Sequence, residues 1–134
     1  MAHGGAVILL DTCVLLWLAG NPAALSAAAA KALAEASSPA FVSAISAWEL
    51  ALKVRKGNLK LQRAPAEWYA AALRHHALLE MPLTGAIALQ AAALPPIHND
   101  PCDRFLVATA QINHLVLLTP DPKIQQYPGL KTLW

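Results

Sequence analysis

Val7-Ile8-Leu9-Leu10-Asp11-Thr12-Cys13-Val14-Leu15-Leu16-Trp17 is an apolar run broken near its middle by one carboxylate and the hydroxyl beside it. A run this rich in Val, Ile and Leu suits a strand buried on both faces, as in the interior of a parallel sheet. Asp11 then stands at the carboxyl end of that strand, where open α/β sheets hold ligands in the crevice beyond the strand ends. The same residue also suits a helix N-cap, worth about 1 kcal/mol. This stretch alone leaves both readings open.

A chain of 134 residues makes one domain of ordinary size, able to bury about two thirds of its unfolded surface. Two cysteines, Cys13 and Cys102, are too few for a disulfide scaffold, and Met1 to Gly5 has no basic leader, so a reducing, cytoplasmic compartment is expected. Hydrophobic content of 57% against 13% charged raises the question of a membrane protein. Residues 12–30 and 81–99 carry no charge, but Gly, Asn, Gln and Pro interrupt them. They fall short of the roughly 18 consecutive apolar residues a span needs. Low charge therefore points to a well-buried α/β core and an apolar partner surface. A net charge of +2 is a weak sign of nucleic-acid binding.

Outward from the first strand, Cys13 to Ala19 is predicted as a short helix ended by Gly20-Asn21-Pro22, and Ala27 to Ala36 as a second with Ser26 as its N-cap. Ala40 to Ser43 reads as a short buried strand running at once into a helix from about Ile45 to Lys56, stopped by Gly57-Asn58. Pro65 opens a fourth helix to about Leu78; Leu78 to Pro82 is a strand candidate and Thr84 to Leu94 an Ala-rich helix. Asp100 before Pro101 starts another helix that ends near Asn113-His114. Leu115 to Leu118 is a second buried strand, then a turn at Ile124 to Tyr127 and a strand from Leu130 to Trp134. The expectation is one α/β domain over residues 1–134, a mainly parallel central sheet flanked by helices on both faces.

Ile45, Trp48, Glu49 and Leu52 recur at helical spacing, which predicts Glu49 inside an apolar stripe. An unpaired charge there is costly, so Glu49 has to protonate or find a cation, either Arg104 or a lysine in an ion pair or a bound ion. Asp103 falls at the third helical position after the Asp100 cap, as in a capping box, yet two acids exceed what one helix end requires. Asp121 leaves its strand as Asp11 leaves the first. Gathered without basic partners, Asp11, Glu49, Asp103 and Asp121 would repel strongly, and hard divalent cations resolve that conflict. An all-oxygen set suits Mg²⁺ or Mn²⁺, and such ions hydrolyse phosphodiesters; there is no His/Cys cluster of zinc spacing. Lys53, Arg55, Lys56, Lys60 and Arg63 place half of the 10 basic residues close together. They form either a solvated helix end or a phosphate-gripping ridge, with Lys53, Arg55 and Lys56 the candidate phosphate contacts. His75 and His76, adjacent on a helix, point to different faces and make poor joint metal ligands.

In order and spacing these residues resemble the PIN-domain proteins of the VapC-type toxin group. The likeness rests on Leu10-Asp11-Thr12 with Leu15-Leu16-Trp17, on Ser43 to Lys53 with Trp48-Glu49, and on Asp100-Pro101-Cys102-Asp103-Arg104-Phe105-Leu106. It continues through Leu118-Thr119-Pro120-Asp121, Tyr127-Pro128-Gly129 and Leu133-Trp134, essentially the whole chain. The resemblance implies a metal-dependent endoribonuclease, the toxin of a type II toxin–antitoxin pair, acting as a homodimer on RNA and blocked by a small antitoxin. Carried onto this sequence, it makes Asp11, Glu49, Asp103 and Asp121 the catalytic and metal-binding acids, with Mg²⁺ or Mn²⁺ as cofactor. Thr12, Thr119 and Asp100 are supporting residues, Asp100 being either a cap or part of the site. Cys13 and Cys102 depart from the pattern, standing where relatives often carry His or an aromatic side chain. A non-catalytic nucleic-acid-binding or protein-interaction module would keep the basic ridge but has no use for four unpaired acids. A DNA nuclease would use the same metals. An aspartyl-phosphate phosphatase wants a second Asp where Cys13 stands.

Overall fold

The three residues of β1 (Ile8–Leu10) are all buried and face alternate sides, Leu9 toward one core and Ile8 and Leu10 toward the other. That is the environment a Val/Ile/Leu run predicts. The computed structural model describes residues 6–134, and the expectation about Met1 to Gly5 lies outside the described residues. Beside β1 lie β2 (Phe41–Ser43), β3 (Leu79–Met81), β4 (Val116–Leu118) and β5 (Lys131–Leu133), in the order β3-β2-β1-β4-β5. Every neighbouring pair is parallel, with Leu10 in register with both Val42 and Leu118. All carboxyl ends therefore open on one edge. The chain runs from β1 outward through β2 to β3 and then crosses to β4, so the reversal of order falls at β1, where a crevice forms.

Six helices cover the two faces: α1 (Thr12–Gly20), α2 (Ala27–Glu35), α3 (Ala44–Arg55), α4 (Pro65–His75), α5 (Gly85–Ala93) and α6 (Pro101–Asn113). On one face Leu9 and Leu117 meet Ile87 and Ala91 of α5 with Leu106 and Val107 of α6. On the other, Ile8, Leu10 and Leu118 meet Val14 and Leu15 of α1, Ala29 of α2, Leu50 of α3 and Ala72 of α4.

Local chemistry sets the helix limits. Ser26 accepts the Ala29 N–H at 3.0 Å, Thr84 the Ile87 N–H at 3.2 Å and Asp100 the Cys102 N–H at 2.9 Å, capping α2, α5 and α6. Helix α4 stops at His75, short of the predicted Leu78. Ala77 takes a left-handed φ of 52°, and the Leu78 N–H closes back on the Leu73 carbonyl at 2.8 Å, turning Leu78 into the core. The predicted stripe on α3 is also displaced. Ile45, Ser46 and Leu50 are its buried residues while Trp48 is 55% exposed, so Glu49 sits at the margin of the inward face. No helix among the described residues is long and apolar enough to cross a membrane.

Candidate functional site

Asp11 is fixed by the sheet before its side chain does anything. Its N–H continues the β1–β4 ladder by donating to the Leu118 carbonyl at 3.1 Å. Although it occupies the N-cap of α1, its side chain makes no capping bond there. Instead its Oδ2 accepts the Thr119 hydroxyl at 2.6 Å, and the same Thr119 Oγ1 accepts the Asp121 N–H at 3.1 Å. Thr119 thus couples the acids that leave β1 and β4. The Thr12 hydroxyl bonds Ser46 at 2.7 Å in the interior, tying α1 to α3 without touching a carboxylate.

Asp11, Glu49, Asp103 and Asp121 line one open cleft of about 390 Å³, together with Thr12, Cys13, Lys53 and Asp100. The four acids come from the ends of β1 and β4, from α3, which follows β2, and from the first turn of α6. They do not meet without basic partners, as the sequence suggested. Lys53 Nζ lies 3.2 Å from Glu49 Oε2, one helical turn on, and so belongs to the cleft as well as to the basic segment. Arg104, the other partner considered for Glu49, points away: its guanidinium donates to the carbonyls of Pro95, His98 and Leu94 at 3.0, 3.3 and 2.8 Å. Arg55 and Lys56 are exposed at the end of α3.

His98 is the residue that sequence reasoning missed. Its Nε2 lies 3.0 Å from Oδ2 of Asp103 and 3.0 Å from Oδ2 of Asp121. The capping box imagined for α6 does not form, because the Asp100 N–H that Asp103 would satisfy donates to His98 Nδ1 at 3.1 Å. The one signal in the chain is position: a histidine two residues before the cap and five before Asp103, in the segment that delivers both acids.

The crowding is legible in the acids' proton affinities. Asp103 is pushed up to about 8, first by burial and then by the charges of Asp11, Asp100, Glu49 and Asp121. Burial also raises Asp11 above the usual carboxylate range despite the Thr119 hydrogen bond. Asp121 goes the other way: partial burial works against it, but the Lys123 N–H and His98 hold it low. Burial and the neighbouring acids push Cys13 and Cys102 to about 12, so both stay thiols at neutral pH and do not enter the site as thiolates.

The residues present fit a hard divalent cation. Among the described residues Glu49 Oε1 is buried with no hydrogen-bond partner, an orphan acceptor at the cleft wall. Carboxylates that raise one another's proton affinity are relieved by positive charge, and oxygen donors suit Mg²⁺ or Mn²⁺.

Residues 8–130 match the PIN domain family. The chain is 32% identical over 130 residues, 95% of its own length and 98% of the relative's, to Ribonuclease VapC22 of Mycobacterium tuberculosis (strain ATCC 25618 / H37Rv). Among solved structures it superposes with a TM-score of 0.70 on a chain of VapBC2 from Rickettsia felis bound to a DNA fragment from their promoter, at 15% identity over 95% of this chain and 97% of that one. It superposes with a TM-score of 0.68 on a chain of DNA-bound VapBC from Salmonella typhimurium, at 17% identity over 96% and 97%. At those identities the solved structures speak to the fold.

Proposed function

This chain belongs to the PIN-domain family, and from that premise we propose that it is the ribonuclease toxin of a toxin–antitoxin pair, hydrolysing RNA phosphodiesters at the cleft formed by Asp11, Glu49, Asp103 and Asp121. The carrying observation is that four carboxylates line one cleft at the carboxyl edge of a parallel sheet, with Glu49 Oε1 buried and unpartnered among the described residues. A binding module has no use for that cost. The relative named a ribonuclease supports RNA over DNA as the substrate.

In this reading Asp11, Glu49, Asp103 and Asp121 hold Mg²⁺ or Mn²⁺, which when bound supplies Lewis acidity and lowers the pKa of water. The chain's own contribution is orientation. Thr119 fixes Asp11 relative to Asp121, and Asp100 caps α6 so that its first turn delivers Asp103 to the cleft. Lys53, Arg55 and Lys56 approach the phosphate backbone from α3, Lys53 being shared with Glu49.

The partner is a small antitoxin. A separate hollow of about 570 Å³, lined by Leu16, Trp17, Leu59, Leu61 and Trp68 with Lys60 and Gln62 and no carboxylate, suits an inserted amphipathic helix. A homodimer belongs to the same reading, supported by Leu89 of α5 at 76% exposure and Ile112 of α6 at 39%; sedimentation of the purified chain measures it. An RNA substrate places its action in the cytoplasm. Purified protein should cleave single-stranded or loop RNA with Mg²⁺ or Mn²⁺ and lose that activity in EDTA; undiminished cleavage in EDTA would sink the metal mechanism.

A further inference from the structure

His98 is held at three points other than its Nε2. Its backbone N–H donates to the buried Tyr127 hydroxyl at 2.8 Å, its carbonyl accepts Arg104 Nη1 at 3.3 Å, and its Nδ1 accepts the Asp100 N–H at 3.1 Å. The third of these bonds decides the chemistry of the ring. A nitrogen that accepts a backbone N–H carries no proton of its own, so in the neutral ring the proton sits on Nε2. That N–H faces the cleft, donated to Asp121 Oδ2 at 3.0 Å with Asp103 Oδ2 at the same distance beside it.

Three groups that could hold a cation thus converge, but they are not equivalent. To ligate through Nε2 the ring would have to shift its proton to Nδ1, where it would oppose the Asp100 N–H. We propose that His98 is a positioning residue of this site: its Nε2–H ties Asp121, from the end of β4, to Asp103, from the start of α6, and readies both carboxylates for a cation without ligating it. The inference rests on the metal-site reading above and adds to it that the site stays all-oxygen. Arg104 and Tyr127 then matter to the site although neither faces it. Arg104 fastens the carbonyls of Leu94, Pro95 and His98 and so fixes the loop that carries the ring.

The first test needs no metal. Long-range ¹H–¹⁵N spectra of the full chain in EDTA near neutral pH should show the His98 proton on Nε2 and none on Nδ1; a proton on Nδ1 overturns the tautomer and the proposal with it. The second uses Mn²⁺ alone as probe. His98→Ala should lower Mn²⁺ affinity by about ten- to a hundredfold, as loss of an outer hydrogen-bond partner does. His98→Gln, which keeps an N–H donor, should recover most of it, and electron spin-echo spectra of the wild-type Mn²⁺ complex should lack the coupling of a directly bound imidazole nitrogen. Such a coupling, absent in His98→Ala, would make His98 a ligand and overturn the proposal, as would wild-type affinity in His98→Ala. If His98→Ala does not fold, the glutamine variant and the spin-echo spectrum still decide. A wild-type chain that binds no Mn²⁺ refutes the metal-site reading instead, a result distinct from either.

Discussion

Removing the charge of Asp103 while keeping its shape, as Asp103→Asn does, separates what the acid costs the fold from what it gives the site. Its proton affinity is raised from the ordinary 3.8 to about 8 in the folded chain. Between those values the folded state binds more protons than the unfolded one, so the stability linked to this group is complete below about pH 4 and is lost as the pH rises through about 8. Asp11, also raised, acts with the same sign. Asp121, held low, contributes stability lost only as the pH falls below 3.8, outside this window. His76, lowered from 6.5 by burial and by His75, works in the opposite direction, but it is unchanged in the variant and drops out of the difference. In EDTA, Asp103→Asn should therefore gain on the wild type from pH 5 to pH 8, by on the order of a few kcal/mol in thermal or urea unfolding, while losing RNA cleavage. A difference that does not change with pH, or a variant less stable at pH 8, would make Asp103 a structural ion-pair partner. The four acids were legible in the sequence because each interrupts an apolar or turn context. His98 was not: a lone histidine in a proline-flanked loop has no periodicity, and its meaning comes from Asp121, 23 positions away.

Helix α3 shows why one basic segment holds two kinds of cation. Its sequence pattern set Trp48 in the buried stripe, yet the residues turned inward are Ile45, Ser46 and Leu50, and Trp48 meets solvent. Glu49 and Lys53, one turn apart, consequently share the cleft margin, while Arg55 and Lys56 do not line it. Lys53→Ala removes a positive charge beside a cation site and should raise Mn²⁺ affinity several-fold. Arg55→Ala with Lys56→Ala should leave Mn²⁺ affinity alone and reduce the salt slope of RNA binding by about 1 for each phosphate no longer neutralised. Equal effects of all three on Mn²⁺ titrations and on salt slope would contradict that division. At α6 the cap and the charge of Asp100 can be separated likewise. At pH 5, where Asp103 is protonated, Asp100→Ala should cost about 1 kcal/mol in urea unfolding and Asp100→Asn should spare most of it; equal losses would deny the capping role.

Across the whole molecule, the buried runs around Leu9 and Leu117 made a sheet between two helical layers legible. The order β3-β2-β1-β4-β5 was not, since it follows from which crossovers pack, not from any one segment. That order gathers five of the eight acidic residues, Asp100 included, at one edge of a chain whose net charge is +2. The hollow of Leu16, Trp17, Leu61 and Trp68, edged by Lys60 and Gln62, lies apart from those acids, and the two surfaces share no residue. A partner able to silence the enzyme would therefore combine two chemistries: an amphipathic helix for the hollow and a basic segment, arginine by preference, reaching a carboxylate such as Glu49 or Asp103 bidentately in place of metal. Co-expression with a small antitoxin of that chemistry should yield a complex in which RNA cleavage is suppressed at stoichiometric ratio. Because Leu61 lines the hollow and not the acid cleft, Leu61→Asp should weaken that inhibition by tenfold or more, about 1.4 kcal/mol of binding, with basal cleavage and Mn²⁺ affinity unchanged. Inhibition untouched by Leu61→Asp would move the partner off the hollow, and a chain recovered alone, fully active and harmless without such a partner, would refute control by an antitoxin.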